Sequence, residues 1–449
     1  MAKRTQPTPS ARELAYRILV RVEASDGYSN LLLRALPQEM ERRERALCTE
    51  LVLGTLRWRG RLDHALAQCS RRPLQEVDAA LLTTLRMGAY QLFYLDRVPD
   101  SAAVNESVRL ARRAGGRGAA GFVNAVLRAL LRQEIRWPGD ETDPVQRLAV
   151  QTSHPSWLVQ RWLDRLGPEE AEPALLAHNQ PSPMVLRVNR QRTDPGALRS
   201  RLEAEGVQTK PGRWSGEALH VSGGNPMAGD AFREGLFYVQ DEASILVADL
   251  VGAQPGDRIA DFCAAPGGKA TQLAAVLKAK GMLLACDLRP TRLALVEDNA
   301  GRLGLDSLRL VVQDAGLPGI RPESLDRALL DAPCTGTGVL RRRPEIRWRR
   351  QPEDVLRLAS LQARLLEAVA GTVRPGGRLV YSVCSLEPEE GPEVVQQFLR
   401  RRSDYHIGQP ENVPAALVEG GHGLPHLRTQ PQRHGLDGFF AAVLQRDAR

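Results

Sequence analysis

Residues 258–269 read Arg-Ile-Ala-Asp-Phe-Cys-Ala-Ala-Pro-Gly-Gly-Lys: a short apolar run ending in Asp261, a loop with two successive glycines, then a helical pattern. A run of this kind that opens through glycines onto a helix is the first unit of an alternating β/α fold. Gly267 and Gly268 let the backbone approach a ligand at the start of the helix, where unpaired amides favour an anionic or carboxylate group. The loop is not a G-x-G-x-x-G dinucleotide fingerprint. It is not a Walker loop either, since Lys269 is followed by Ala270 and the leading glycine is missing. A nicotinamide enzyme and a nucleoside triphosphatase are both disfavoured.

Downstream the same pattern repeats. Strands are predicted at 258–262, 282–286, 308–312, 326–330, 378–383 and 438–444, and helices at 269–279, 290–303, 353–371 and 388–401. This alternation implies a doubly wound, mostly parallel sheet whose ligand crevice lies beyond the carboxyl ends of the strands. Nineteen residues after Gly268 the second strand ends in Cys286-Asp287, the acid position that bonds a ribose in nucleotide-binding sheets. The third ends in Gln313-Asp314 and the fourth in Asp331. Any one of these acids reads equally well as a turn or helix cap, so the signal lies in the series Asp261, Asp287, Asp314 and Asp331.

After the fourth strand comes Asp331-Ala-Pro-Cys334-Thr-Gly-Thr-Gly338, and after the fifth Tyr381-Ser-Val-Cys384-Ser-Leu-Glu-Pro-Glu. Both cysteines therefore sit at the sheet edge that carries the acids. Cys48, Cys69, Cys263 and Cys286 read as small core hydrophobes. Two thiols and a carboxylate in one crevice suit methylation of cytosine at carbon 5. That carbon is a poor nucleophile until a thiolate adds to carbon 6, and a carboxyl group bonded to nitrogen 3 and the exocyclic amine offsets the charge that develops. A second thiol can assist when the carbon 5 proton leaves and the enzyme–base bond breaks. The residue types do not say which cysteine attacks.

Residues 10 to about 135 carry helical stripes throughout, starting from Ser10-Ala-Arg-Glu13, which has the form of a capping box, and predict a helix bundle. Between Ser107 and Gln133 stand Arg109, Arg112, Arg113, Arg117, Arg128 and Arg132 with no acid, and a Gly-Gly-Arg-Gly turn at 115–118 lies among them. Such a segment suits phosphate contacts, and it reads equally as a solvated helix face. The Pro-, Gly- and acid-rich stretch 137–144 is the expected domain boundary. Beyond it come two short helices around 157–166 and 168–178, separated by Gly167 as a stop. A small α+β unit follows, with strands near 184–190, 218–222 and 236–239 and a helix opened by Asp194-Pro195. It carries Arg187, Asn189 and Lys210 but no recognisable nucleic-acid motif. The expected domains are 1–140, 141–240 and 241–449.

The remaining composition narrows the class. Of 449 residues, 43% are hydrophobic and 25% charged, as in an ordinary globular protein. Lys plus Arg is 61 against 53 for Asp plus Glu, a net charge of +8 that favours a polyanionic partner. Six scattered cysteines, none in C-x-x-C or near a His at zinc spacing, argue against a disulfide framework or a metal site. Residues 1–10 hold two positive charges without an apolar block, and no long apolar stretch occurs, so neither a signal peptide nor a membrane span is expected.

The runs 263–269, 331–338 and 383–390 resemble the signature motifs of the RNA 5-methylcytosine methyltransferases, and 239–244, 342–348 and 437–442 resemble further blocks of that family. Residues 103–113 and 121–128 are similar to the NusB fold, and the combination resembles the bacterial small-subunit ribosomal RNA branch of the family. The resemblance implies a multidomain chain: an all-α NusB-like bundle, a small α+β RNA-binding module and a Rossmann-like methyltransferase domain. It implies S-adenosylmethionine held by Cys263, Ala264, Ala265, Pro266, Gly267, Gly268 and Lys269, with Asp287 on the ribose, Arg292 nearby, Asp314 near the adenine and Asp331 where cofactor and base meet. It makes Cys384 the nucleophile and Cys334 the thiol that promotes release. Lys269 either holds its loop or reaches an anionic group. Val383 stands where relatives often have Thr, and Arg343 where many have His.

The expected partner is small-subunit ribosomal RNA, bound as a single strand or loop with the target base flipped out, in the cytoplasm, by a monomer without metal or membrane. Arg109, Arg112, Arg113, Arg117, Arg343 and Arg347 are the candidate RNA contacts. The rival readings are a transfer RNA methyltransferase of the same family, a non-catalytic RNA-binding factor, and a DNA cytosine methyltransferase in which Cys334 would be essential and Cys384 spare.

Overall fold

The computed structural model describes residues 9–24, 27–37, 39–278 and 280–448. The segment read for targeting, residues 1–8, lies outside the described residues. The chain divides into two compact units: Met1–Pro181 with Leu340–Arg350, and Ser182–Val339 with Gln351–Arg449.

The first unit is helical, with helices Ala11–Ala24, Ser29–Arg34, Arg42–Arg57, Arg59–Cys69, Ala79–Tyr94 and Asp100–Arg132 enclosing a core that includes Leu19, Leu51, Leu62, Leu85, Val123 and Leu127. The capping reading at Ser10 is met on one side, its Oγ accepting from Glu13 N at 3.3 Å. Asp78 caps its helix through Ala80 N and Leu81 N. Gly54 lets two helices meet closely, since a Cβ there would lie 2.0 Å from the Tyr90 ring. The expected glycine turn is present as a break in the long helix, with Gly116 at φ 74°.

The first unit also continues past the expected boundary at 137–144. Helices Pro144–Gln151, Ser156–Leu166 and Pro168–Ala177 pack in sequence, the first of them also against Arg59–Cys69, and bury Leu148, Leu158, Val159 and Trp162. Gly167, at φ 74°, ends the second of these as its position predicts.

The second unit holds two sheets. The small one has strands β1 (Val185–Val188), β2 (Gln208–Pro211), β3 (Ala218–Gly223) and β4 (Phe237–Val239) in the antiparallel order β2-β3-β1-β4. Helix Pro195–Ala204, capped by Asp194, covers it and buries Leu198 and Leu202 against Leu186 and Phe237. β2 was not expected: its four residues are mostly exposed and end in proline, as suits an edge.

The large sheet has nine strands: β5 (Arg258–Phe262), β6 (Met282–Asp287), β7 (Leu308–Val312), β8 (Leu325–Asp331), β9 (Val373–Val383), β10 (Tyr405–Ile407), β11 (Val418–Glu419), β12 (His426–Thr429) and β13 (Phe439–Arg446). Its order is β11-β12-β13-β9-β8-β5-β6-β7, with β10 on β13. Strands β5 to β9 are mutually parallel, whereas β13 runs antiparallel to β9 and begins an antiparallel flank. From β5 the chain adds β6 and β7 on one side, then returns to add β8 and β9 on the other. The order therefore reverses beside β5, and a ligand crevice opens at the carboxyl ends of β5 and β8. Among the described residues no helix is long and apolar enough to cross a membrane.

Candidate active site

The glycine loop leaves β5 at Phe262. Cys263 has φ 66° and Gly267 φ 105°, the left-handed conformation that lets the chain turn into helix Gly268–Leu277. The loop is fastened from several sides. Ala264 N donates to Cys286 O at 2.8 Å, Arg292 Nη2 to Ala265 O at 2.9 Å and Asn299 Nδ2 to Pro266 O at 3.2 Å. Arg187, buried on β1, donates to Gly268 O, to Gln240 Oε1 and, at 2.9 Å, to Thr271 Oγ1. Burial brings its guanidinium down to about 10. Arg187 reaches this loop from the small sheet, a link its isolated position on β1 did not announce.

Asp261 is buried, and among the described residues neither of its carboxylate oxygens has a hydrogen-bond partner; Oδ2 of Asp287, at the end of β6, also lacks one there. Burial, then repulsion from Asp331 and Asp287, pushes the Asp261 carboxyl well up. Asp287 Oδ1 accepts from Arg289 N, and its Oδ2 lies 3.3 Å from Arg292 Nη1. Spare buried acceptors beside a glycine loop fit a ligand bearing hydroxyl groups and a cationic centre, as S-adenosylmethionine does. Asp314 is exposed past β7, where its Oδ1 accepts from Gly316 N at 2.8 Å.

Asp331 and Ser382 are register partners on β8 and β9, and Ser382 Oγ donates to Asp331 Oδ1 at 2.7 Å. Lys269 Nζ donates to Asp331 Oδ2, also at 2.7 Å, and lies 5.1 Å from the Phe439 ring centroid. Lys269 thus reaches an anionic group. Burial pulls its ammonium toward the neutral form, but Asp331, Asp261 and Cys384 outweigh this and hold its pKa above the usual lysine value. Just beyond the two strands, Cys334 Sγ and Cys384 Sγ lie 3.3 Å apart. The contact with Cys384, then burial, then the charges of Cys384, Glu390 and Asp331 push the Cys334 thiol well up, so it stays protonated at neutral pH.

Of the four cysteines read as core residues, Cys48 and Cys286 are buried, while Cys69 and Cys263 are half-buried. Burial raises the Cys286 thiol to about 12, and burial with nearby carboxylates raises that of Cys263.

In the first unit Arg109, Arg112, Arg113 and Arg117 are exposed, though Arg109 pairs with Glu106 and Arg113 with Glu13 at 2.9 Å. Arg343 stacks over Tyr28, 5.2 Å from its ring centroid. Arg347 corrects the sequence reading. It is 1% exposed, and Nη1 donates to Ser153 O at 3.0 Å and Asn179 Oδ1 at 2.9 Å, while Nη2 donates to His178 O at 3.3 Å. A guanidinium spent on buried carbonyls has no face left for a phosphate. Among the described residues no group of His, Cys, Asp and Glu is arranged to hold a metal ion.

A mixed sheet whose parallel half has this strand order, a glycine loop at β5 and acids at the strand ends define a Rossmann-like methyltransferase. The family model described as 16S rRNA methyltransferase RsmB/F matches residues 248–445, that of the NusB family residues 9–132, and that of the RsmF/B-like ferredoxin-like domain residues 154–228. The probable ribosomal RNA small subunit methyltransferase B of Bacillus subtilis is 36% identical over 447 residues, covering 97% of this chain and 99% of that one. The ribosomal RNA small subunit methyltransferase B of Pseudomonas putida is 38% identical over 444 residues, 96% of this chain and 98% of that one. The crystal structure of PH0851 superposes with a TM-score of 0.84 at 25% identity, over 98% of this chain and all of that one. The chain belongs to the RsmB/F family of 16S rRNA methyltransferases.

Proposed function

We propose that this protein methylates carbon 5 of a cytosine in small-subunit ribosomal RNA, in the cytoplasm, with Cys384 as nucleophile. The observation that carries the reading is the pair of thiols 3.3 Å apart on the loops that follow Asp331 and Ser382. Bound S-adenosylmethionine supplies an electrophilic methyl group. Residues 263–269 would hold it, with Asp287 on the ribose, Asp314 near the adenine and Arg292 shaping the loop through Ala265 O.

The Cys384 thiolate forms a bond to carbon 6 of the base, and the ring electrons move to carbon 5, where the methyl group is accepted. The proton that Cys384 gives up passes to nitrogen 3, which then donates with the exocyclic amine to Asp331, offsetting the charge on the ring until that proton leaves at release. The carbon 5 proton then passes to water, its electrons return into the ring, and the carbon 6–sulfur bond breaks. Cys334, held as a thiol, can give its proton to the departing sulfur of Cys384. Exposed Arg109, Arg112, Arg113 and Arg117, with Arg343, would contact phosphates.

The test is a denaturing gel of enzyme incubated with its RNA and S-adenosylmethionine. Cys334→Ala should accumulate a protein–RNA adduct beyond wild type and Cys384→Ala should form none. The reverse pattern would exchange the two roles.

A further inference from the structure

Glu390 is fully buried, and the chemistry above does not use it. Its carboxylate nonetheless accepts four hydrogen bonds close to the thiols. One oxygen accepts from Thr335 N at 2.8 Å and Gln362 Nε2 at 2.9 Å; the other accepts from Thr335 Oγ1 and Ser385 Oγ. Thr335 follows Cys334 in the chain, and Ser385 follows Cys384. One side chain thus ties together the residues next to both cysteines. Gln362 extends the tie by donating to Pro333 O at 2.9 Å, so the Cys334 loop is held on both sides of its thiol. The backbone of Glu390 is itself fixed, its carbonyl accepting from Tyr381 OH at 2.6 Å.

Four donors on one carboxylate use up its acceptor positions, leaving nothing to bond a substrate. A buried carboxylate is costly unless so satisfied, and the cost recurs if either loop moves away. We infer that Glu390 is a positioning residue that holds the Cys334 and Cys384 loops in register, fixing the distance between the two thiols. The consequence for the reaction rests on the function proposed above, in which one thiol must attack and the other must stand ready for release. Its charge also lies close enough to Cys334 to favour the thiol over the thiolate.

The distance can be read without turnover. In a glutathione redox buffer the two protein thiols and one oxidised glutathione exchange with the protein disulfide and two reduced glutathiones. The equilibrium constant measures the effective concentration of one thiol at the other. Peptide mass spectrometry of the full chain follows the Cys334–Cys384 disulfide. Glu390→Met removes the acceptors at similar length and should lower this constant by about tenfold or more. It should lower kcat while leaving the KM for S-adenosylmethionine unchanged. Glu390→Gln keeps one acceptor oxygen and should restore part of both. If Glu390→Met does not fold, Thr335→Val removes a single hydroxyl donor at constant volume and should lower the constant several-fold.

A wild-type constant in the folded variants overturns the positioning role, whatever the enzyme methylates. A lowered constant in a protein whose wild type methylates no cytosine leaves the positioning role standing and overturns the proposed function instead.

Discussion

Lys269 Nζ and Asp331 Oδ2 stand 2.7 Å apart, which joins the cofactor loop after β5 to the carboxylate at the end of β8. Among the described residues Lys269 is the one cation bonded to that carboxylate, whose other oxygen accepts from Ser382, and the buried Asp261 also helps hold the ammonium's pKa up. Lys269→Met should therefore leave the Asp331 carboxylate without its cation beside a buried acid. Stability should fall by about 2–3 kcal/mol, less than for a fully buried pair because Asp331 is partly exposed. A urea titration gives the stability change, and a single-turnover assay should show a rate loss of about a hundredfold or more.

Ser382 holds the other oxygen of Asp331. Ser382→Ala should free the carboxylate to rotate, lowering kcat by about tenfold while leaving the KM for RNA unchanged. Steady-state kinetics separates this from a loss of RNA binding, which would raise KM instead.

Arg347 should act on folding and not on nucleic acid. Arg347→Met leaves the carbonyls of Ser153 and His178 without their donor inside the first unit and should cost about 3 kcal/mol. Among variants that remain folded, RNA affinity and its salt dependence should match wild type. A reduced salt slope would return Arg347 to the RNA contacts.

Asp249 gives a pH test. Burial, with help from Glu217, raises its carboxyl from 3.8 to about 7, while Gln272 Nε2 donates to it at 2.8 Å. Below the unfolded value both states are protonated and the group is neutral in its effect. As pH rises toward 7 the unfolded chain loses the proton first, so wild-type stability falls through this window. Asp249→Asn keeps an acceptor for Gln272 without the charge. Its thermal midpoint should match wild type near pH 4 and exceed it increasingly up to pH 8. A difference that is constant with pH would contradict the assignment.

The parallel half of the large sheet was legible because each strand from β5 to β9 is at least five residues long and carries a short apolar stretch that leads into a turn or acid. β10, β11 and β12 have three, two and four residues, too few to show alternation, and the antiparallel course of β13 depends on pairing that a linear pattern does not carry. At the site, Asp331, Cys334 and Cys384 could be read as chemistry because their residue types are reactive and lie at strand ends. Ser382, Gln362 and Glu390 carry no such signal; their importance comes from which partners the fold brings to them. Arg347 misled for the same reason. Among the arginines of 341–350 it looks like one more surface charge, and only its burial shows otherwise.

The most direct measurement is bisulfite sequencing of RNA from cells lacking this gene, before and after adding purified enzyme and S-adenosylmethionine. The expected result is one cytosine of small-subunit ribosomal RNA that loses protection without the gene, regains it with wild-type protein and fails to regain it with Cys384→Ala. Restoration at a transfer RNA site, or full restoration by Cys384→Ala, would contradict it.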